Sequence, residues 1–296
     1  MSDNSERIKG RLENLQAIEP LVSSMRVLSM SNMQLATNRV EILQQYKKDF
    51  ITIDSLLKAS KKLQSQSSDI NKRKMPVEDQ RGFRLLVVFG SDRGICGTYN
   101  KQLIAKTQEW LDSTSDKTRV IAFGTRLNSL MRFSKISFDD FGSIVHGTKP
   151  RYDVASSLID KWLSDIRDER LTSVDVLSFR KSKRNHHAPV ITNFLPEMLE
   201  PVYSDERELP WPPPIIEGDP QEMLKSIEIH LLKIRFYELI LEAMIAENTI
   251  RFRLLEEAKS NTEDLIEELS LEIQIERRQE VTSQIQEIAV SAGLTA

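Results

Sequence analysis

Apolar residues recur at alternating steps of three and four positions in two long stretches, one near each end of the chain. This spacing, sustained over several heptads, is typical of coiled-coil helices. The C-terminal series follows Leu224, Ile227, Leu231, Ile234, Tyr237, Leu241 and Met244, passes through a polar seam position at Asn248, and continues with Phe252, Leu255, Leu265, Leu269, Ile273, Ile285 and Ile288. The N-terminal series follows Ile8, Leu12, Leu15, Val22, Met25, Ala36, Val40, Leu43, Phe50, Ile53 and Leu57. The pattern predicts two long helical arms, over residues 1–75 and 219–296.

Glycine and proline are concentrated between these two arms. The chain has only 10 glycines and 11 prolines in 296 residues, and neither residue occurs from 21 to 75 or from 221 to 292. Helix interiors disfavour both residues, whereas turns use them. Residues 76–218 are therefore predicted to form a compact domain that is rich in turns.

Proline also marks two points in the arms. Pro20 lies inside the first arm, where its missing N–H and its ring predict a kink or a restart of the helix near Glu19. At the second arm, Asp219 is expected to be the N-cap and Pro220 the first helical residue. Glu222 would complete a capping box at that end.

The middle of the chain alternates between strand and helix patterns. Strands are predicted over 82–90, 119–124, 135–141, 173–179 and 189–195, and helices over 100–111, 126–133 and 154–167, with Asp153 as the cap of the last helix. Strands that alternate with helices favour a mainly parallel sheet that is covered on both faces. The predicted architecture is thus a coiled coil of two terminal helices with a central α/β domain.

Charge distinguishes the two arms and also excludes several classes of protein. Residues 1–74 hold 13 Lys and Arg against 8 Asp and Glu, whereas residues 221–296 hold 8 against 15. Opposite charge makes the arms natural partners. The net charge of the whole chain is only -3, which gives no drive towards nucleic acid. The sequence also predicts no membrane span and no secretory signal.

A glycine-containing segment, Gly90-Ser-Asp-Arg-Gly-Ile-Cys-Gly97, follows the first predicted strand and precedes a helix. Phosphate groups often bind at such a position. However, neither Lys-Ser nor Lys-Thr follows the last glycine, and the glycine spacing does not fit G-x-G-x-x-G. The segment therefore has two interpretations, a structural turn or a nucleotide-binding loop on which an enzyme could be built, and the residues favour the turn.

Other candidate chemistry is weaker. Cys96, the one cysteine, could act as a nucleophile with His146, His186 or His187 as base, but no spacing supports this and a small semi-buried turn residue is the simpler interpretation. The segment around His186 and His187 is basic and offers no carboxylate or second cysteine for a metal. We predict no catalytic residues, no metal site and no cofactor.

Four stretches together resemble the gamma subunit of F-type ATP synthases. They are the I-x-x-R-L-x-x-L run that leads to Met25-Arg26-Val27, the S-D-R-G-I-C-G turn at 91–97, the Asp219-Pro220 start of the last helix, and the end of the chain from Asn261 to Ile288. The turn is similar to the S-D-R-G-L-C-G of that family, and the end is similar to its N-x-x-x-L-I-x-E-L and I-T-x-E-L-x-E-I signatures. The likeness extends over nearly the whole chain.

The resemblance implies a mechanical part of a rotary complex and not an enzyme. It implies that the terminal helices form an antiparallel coiled coil inside a ring of alpha and beta subunits, and that a Rossmann-like domain lies against the epsilon subunit and the membrane c-ring. The complex would sit at the cytoplasmic face of a bacterial plasma membrane, with this subunit peripheral to the membrane. By position, the resemblance implies contacts with the alpha and beta subunits at Met25, Arg277, Arg278, Thr282 and Gln284. It also implies a structural turn at Asp92, Arg93, Gly94 and Gly97.

The chain departs from that family at several positions. Pro20 and Asn32 stand where the family has basic residues, Thr98 replaces a glycine, Arg278 replaces a glutamine and Gln284 replaces a glutamate. These differences are typical of a diverged branch, such as a second F-type complex. The alternative function is a non-rotary structural or adaptor protein that has kept the coiled coil.

Overall fold

The computed structural model describes residues 3–64, 82–114, 116–146, 149–181, 187–196 and 215–291. Five helices and seven strands are present in these residues. In chain order they are α1 (Asp3–Gln64), β1 (Phe83–Phe89), α2 (Tyr99–Asp112), β2 (Thr118–Phe123), α3 (Thr125–Met131), β3 (Asp139–Asp140), β4 (Val145–His146), β5 (Lys149–Pro150), α4 (Tyr152–Arg167), β6 (Leu171–Lys181), β7 (His187–Leu195) and α5 (Pro220–Ser291). Two long terminal helices and a central sheet domain confirm the predicted fold class.

The chain forms two compact units, and both long helices contribute to each. The larger unit contains residues 32–250, and the smaller one contains residues 1–31 together with residues 251–296. The division of the chain at residues 75 and 218 into arms and a middle domain remains a prediction.

A five-stranded sheet forms the centre of the larger unit, in the order β3-β2-β1-β6-β7. The first four strands of this order are parallel, and β7 pairs antiparallel with β6. Strand β1 is apolar except for Arg84, and its last five residues form a continuous buried apolar run, as expected for a parallel strand that is covered on both faces.

Helices cover the two faces of this sheet with separate apolar cores. On one face, α4 contributes Ile159 and Trp162, and α5 contributes Leu232, Phe236 and Leu239. On the other face, α2 and α3 pack against the sheet through residues that include Leu103 and Leu127. The predicted two-faced α/β domain is therefore present, and the first part of α5 is one of its covering helices.

Three details of this domain differ from the prediction. The third strand is only Asp139–Asp140, because the preceding Ile136 and Phe138 pack into the core without pairing along the sheet. A short antiparallel hairpin of β4 and β5 was not predicted. Asp153 is not the cap of α4: the helix begins one residue earlier, at Tyr152, and the Asp153 carboxylate accepts hydrogen bonds from Arg151. The Arg151 hydrogen bond lowers the pKa of Asp153.

Within the larger unit, α1 and α5 pair in an antiparallel sense. Met33 contacts Thr249, Lys47 contacts Glu238, and Phe50 lies against His230. The residue numbers on α5 therefore decrease as those on α1 increase. A small apolar cluster centred on Ala36, Leu241 and Met244 joins the two helices. Ile53, which the heptad pattern places in the seam, is 41% exposed, whereas the adjacent Asp54 is buried.

Within the smaller unit, the expected restart of the helix at Pro20 is wrong. Helix α1 continues through Pro20, and the hydroxyl of Ser24 donates to the Pro20 carbonyl oxygen over 2.7 Å. Pro20 has no N–H to donate to the Gln16 carbonyl, but Gln16 and Pro20 are both exposed, so solvent can satisfy that carbonyl, which reduces the cost of the proline. A kink at this point remains a prediction.

The start of α5 agrees with its predicted cap. The Asp219 carboxylate accepts a hydrogen bond from the Gln221 N–H over 2.9 Å, and Pro220 is the first helical residue. In the part of the chain that the structure describes, no helix is long and apolar enough to cross a membrane.

Candidate functional site: the turn after β1 and the end of α5

The turn between β1 and α2 is held together by its own polar side chains. The Ser91 hydroxyl donates to the Arg93 carbonyl oxygen over 2.9 Å and accepts from the Asn100 amide over 2.7 Å. The Asn100 side-chain oxygen in turn accepts from the Ser91 N–H over 3.1 Å, and the Cys96 sulfur lies 3.4 Å from the Ser91 hydroxyl. Ser91, Cys96 and Asn100 are all buried. These groups satisfy one another, which is the arrangement expected of a structural turn.

Asp92 ties this turn to two neighbouring connections at the carboxyl edge of the sheet. One carboxylate oxygen accepts from the Thr125 N–H at the start of α3 over 3.1 Å, and the other accepts from the Ser143 hydroxyl over 2.6 Å. The Thr125 hydroxyl also donates to the Asp92 carbonyl oxygen. The aspartate of the motif thus caps α3 and fixes the relative positions of three loops.

The glycines of the turn have different roles. A Cβ atom added to Gly90 would lie 2.3 Å from the Cβ of Leu127, so only glycine allows α3 to pack this closely on the end of β1. Gly97 has a φ of 55°, in the left-handed region that favours glycine. In contrast, a Cβ atom on Gly94 would meet nothing within 4 Å. The fold of this chain therefore requires Gly90 and favours Gly97, but does not require Gly94.

Arg93 and Ile95 are exposed, in contrast to Ser91 and Cys96 of the same turn. Ile95 has a φ of 55° and is 50% exposed. Left-handed backbone is unfavourable for a β-branched residue, and here it directs an apolar side chain outwards next to the buried cysteine. The buried Cys96 confirms its interpretation as a turn residue, and no metal-binding cluster of His, Cys, Asp or Glu occurs among the residues that the structure describes.

The four predicted contact residues near the end of α5 are exposed but do not share one face of the helix. Arg278 and Thr282 are one turn apart, and the Thr282 hydroxyl donates to the Arg278 carbonyl oxygen over 2.8 Å. Arg277 is about 100° away from Arg278 around the helix, and Gln284 is about 200° away from Thr282. These side chains would therefore meet different surfaces of anything that surrounds the helix.

Met25 is distant from those four residues. It lies on α1 next to Arg26, whose guanidinium contacts the Glu256 carboxylate over 2.7 Å and covers the ring of Phe252. That contact places Met25 opposite the middle of the α5 segment, about 20 residues before Arg277, which corresponds to about 30 Å along a helix. The five residues are not a single site.

The same contact explains an error in the predicted coiled-coil stripe. Ile285 and Ile288 were expected in the seam, yet they are 60% and 66% exposed. Because paired antiparallel helices advance at the same rate, the Arg26–Glu256 pair places Asp3, where α1 begins, opposite the region of Gln279. Among the residues that the structure describes, the last turns of α5 therefore have no counterpart on α1.

Comparison with known proteins gives the family of the chain. A family model described as ATP synthase matches residues 4–294. Two similar curated proteins are both ATP synthase gamma chains: that of Parabacteroides distasonis is 25% identical, with 98% of this chain and 99% of the relative covered, and that of Azobacteroides pseudotrichonymphae is 23% identical, with 97% of each covered. The chain belongs to the ATP synthase gamma-chain family.

Solved structures with the same fold agree with this family. A chain of the Euglena gracilis mitochondrial ATP synthase rotor superposes with a TM-score of 0.58 at 13% identity, covering 94% of this chain and 99% of that one. A chain of the Tetrahymena thermophila mitochondrial ATP synthase central stalk and c-ring gives 0.51 at 15% identity, covering 80% and 99%. These structures share the fold of the chain. The family model and the gamma-chain relatives confirm the family resemblance seen in the sequence, and the chain is a gamma-type component of an ATP synthase.

Sequence reasoning missed two deeply buried acids of this gamma-family chain. Asp175 is buried in β6 and accepts hydrogen bonds from Arg84 and from the Trp110 indole, both over 3.0 Å. Glu238 of α5 is buried and pairs with Lys47 of α1. A signal was present in both cases, since each acid lies in a mostly apolar run, S-V-D-V-L-S-F around Asp175 and R-F-Y-E-L-I-L around Glu238.

Proposed function

We propose that this chain is the non-catalytic rotor subunit of the central stalk of an F-type ATP synthase or ATPase. It would couple ion flow through the membrane c-ring to ATP synthesis or hydrolysis in a head of three alpha and three beta subunits. The observation that carries the proposal is the structure of α5. Its first part is built into the sheet core through Phe236 and Leu239, and the helix continues without a break to Ser291. Torque applied to the sheet domain would therefore act directly on this helix.

The polar groups of the turn after β1 support a mechanical role in place of a catalytic one. Ser91, Asn100 and Asp92 use their hydrogen-bonding groups to hold the turn and the neighbouring loops. Groups that are already satisfied by one another are poorly placed to bind a nucleotide or to activate a substrate.

The partners follow from the family and from the neighbours in fold. The superposed chains come from structures named as an ATP synthase rotor and as a central stalk with a c-ring. By analogy, this chain would bind alpha, beta and epsilon subunits and the c-ring, and would bind no nucleic acid. The similar gamma chains come from bacteria, which supports a peripheral position at the cytoplasmic face of a bacterial plasma membrane.

The contacts with alpha and beta subunits would involve two regions of the helix pair. Arg277, Arg278, Thr282 and Gln284 are exposed on different faces of α5, as is suitable for a helix that is surrounded by a ring. Met25 would contribute a contact further along the pair. Exposed apolar residues near the end of α5, such as Ile285, would add contacts with apolar surfaces of the surrounding alpha and beta subunits.

Co-expression with the cognate alpha and beta chains tests the proposal. We expect a complex of three alpha, three beta and one copy of this chain, which hydrolyses ATP. If alpha and beta assembled with each other but this chain stayed apart, the proposal would be wrong and a non-rotary adaptor would be the better interpretation.

A truncation tests the role of the end of α5. Removal of residues 277–296 should leave the sheet domain folded, because none of its core residues lies in that segment. It should lower assembly or coupling, because the proposed contacts of Arg277–Gln284 are lost. Unchanged ATP-driven ion pumping in the truncated complex would contradict the assignment of these contacts.

A further inference from the structure

Glu238 is a buried carboxylate in the part of α5 that covers the sheet. Its side chain is only 4% exposed, and Phe236, Leu239, Ile240 and Leu241 around it in sequence are fully or almost fully buried. A carboxylate in such surroundings is costly unless charged hydrogen-bonding partners compensate for the lost water. The partners of Glu238 therefore explain why an acid is tolerated at this position.

Two basic side chains meet the Glu238 carboxylate. Lys47 approaches from α1 with its ammonium group 3.2 Å from Oε2, and Arg235 approaches from the previous turn of α5 with Nη1 3.0 Å from the same atom. Lys47 is itself only 18% exposed. The carboxylate thus joins α1 to α5 in a position that is largely shielded from water, where a charged hydrogen bond is strongest.

The network continues from α5 into the sheet. Arg235 is also 3.4 Å from Glu242, the next acid along α5 on this side of the helix. Glu242 accepts from Arg180 of β6 over 2.8 Å, and Arg180 donates to the Thr192 hydroxyl of β7 over 3.2 Å. A connected series of charged and polar groups therefore runs from α1 through α5 to the last two strands of the sheet.

The apolar contacts between α1 and α5 in this unit are much less specific. The cluster that joins them is centred on Ala36, Leu241 and Met244. Contacts of this kind are non-directional, and methionine adapts readily to shifted neighbours. They hold the helices together but resist a small slide or rotation weakly, whereas the Lys47–Glu238 bond is directional and breaks if either helix moves.

We infer that Glu238 is a positioning residue for rotation, which fixes the register and rotational setting of α1 on α5 and connects both to the sheet domain. The inference rests on the proposed rotor function. A rotor that passes torque from its sheet domain to both helices needs a fixed geometry between these elements. This network supplies directional bonds at the place where α1, α5 and the sheet meet.

The test uses the complete complex in lipid vesicles, where ATP-driven membrane potential is measured with a voltage-sensitive dye and divided by the rate of ATP hydrolysis. This ratio reports coupling for either coupling ion. Glu238→Gln should lower it roughly twofold or more, because loss of one partner of a buried ion pair strongly weakens the arrangement. Glu109→Gln is the matched control, because Glu109 forms an exposed pair with Lys106 on α2 and should leave the ratio unchanged.

Variants of Lys47 keep the test decisive if Glu238→Gln does not assemble. Lys47→Gln should lower the ratio as Glu238→Gln does, Lys47→Arg should restore most of it by retaining the charge, and the Lys47→Gln/Glu238→Gln pair should be no worse than either single variant. If Lys47→Gln matched the Glu109→Gln control, or if Lys47→Arg were as impaired as Lys47→Gln, the inference would be overturned. Failure of the unmodified chain to assemble with alpha and beta would instead overturn the proposed function itself.

Discussion

Replacement of Gly90 by alanine is the sharpest test of how the turn after β1 is built. An added Cβ would lie 2.3, 2.4 and 2.7 Å from three atoms of the Leu127 side chain. Leu127 is fully buried in the core between α3 and the sheet, so it cannot swing into solvent to make room. The helix or the strand end must move instead, and overpacking of this kind costs about 1–3 kcal/mol.

The matched control is Gly94→Ala, four residues away in the same turn, where the added Cβ meets nothing within 4 Å. For a domain of this size, each kcal/mol lowers the unfolding midpoint by about 2–4 °C. Thermal unfolding of the purified chain, followed by circular dichroism, should therefore show a midpoint roughly 2–12 °C lower for Gly90→Ala and little change for Gly94→Ala. Equal midpoints for the two variants would refute the close packing of α3 on Gly90.

Three further predictions concern buried or capping groups, each measured as a change in the unfolding midpoint. Asp175→Asn should lower the free energy of unfolding by about 2 kcal/mol, because it weakens the hydrogen bonds from Arg84 and from the Trp110 indole. Asp139→Asn, in an exposed pair with Arg119, should lower it by under about 0.5 kcal/mol. Equal losses would contradict the burial of Asp175. Asp219→Ala should cost about 1 kcal/mol through loss of the α5 cap, and no loss would mean that the observed cap is dispensable. Burial lowers the pKa of His230 below its usual 6.5. The fold is therefore more stable above pH 6.5, where the ring is neutral, and this stability is lost as the pH falls through the lowered pKa. His230→Gln should reduce the drop in unfolding midpoint between about pH 7 and about pH 5, and an undiminished drop would exclude this group as its cause.

Local patterns predicted most of the sheet domain because its elements are determined by their own residues. The run L-L-V-V-F at 85–89 is apolar on both faces of the strand, so its burial follows from sequence alone. The start of α5 was predictable for the same reason, since Asp219 and Pro220 act within one turn of the helix. The turn motif also pointed to a structural role before its hydrogen bonds were known.

The errors arose where a distant segment decides the outcome. Ile285 continues the heptad series of α5, but its exposure depends on where α1 begins, which the series on α5 alone does not contain. Asp153 has the residue type of an N-cap, yet Arg151 binds its carboxylate and the helix starts before it. The third strand is limited to Asp139–Asp140, because the preceding Ile136 and Phe138 pack into the core and do not pair along the sheet.

The candidate site was predictable only as a set of separate positions. The family resemblance predicts contacts at Met25 and Arg277, but their separation by about 30 Å depends on how the helices pair. The network around Glu238 could not be predicted from α5, because its partners lie on α1 and on β6. Buried charges of this kind depend on long-range pairing, and a single sequence shows only that an acid interrupts an apolar run.

The most direct measurement of the central claim is rotation of this chain in a single complex. The beta subunits of a co-expressed alpha–beta complex would be fixed to a surface, and a bead would be attached to an engineered cysteine on the sheet domain of this chain, in a Cys96→Ser background. We predict rotation in one direction that requires ATP and stops when ATP is removed. A bead that stays still or moves equally in both directions while the complex hydrolyses ATP would contradict the rotor function.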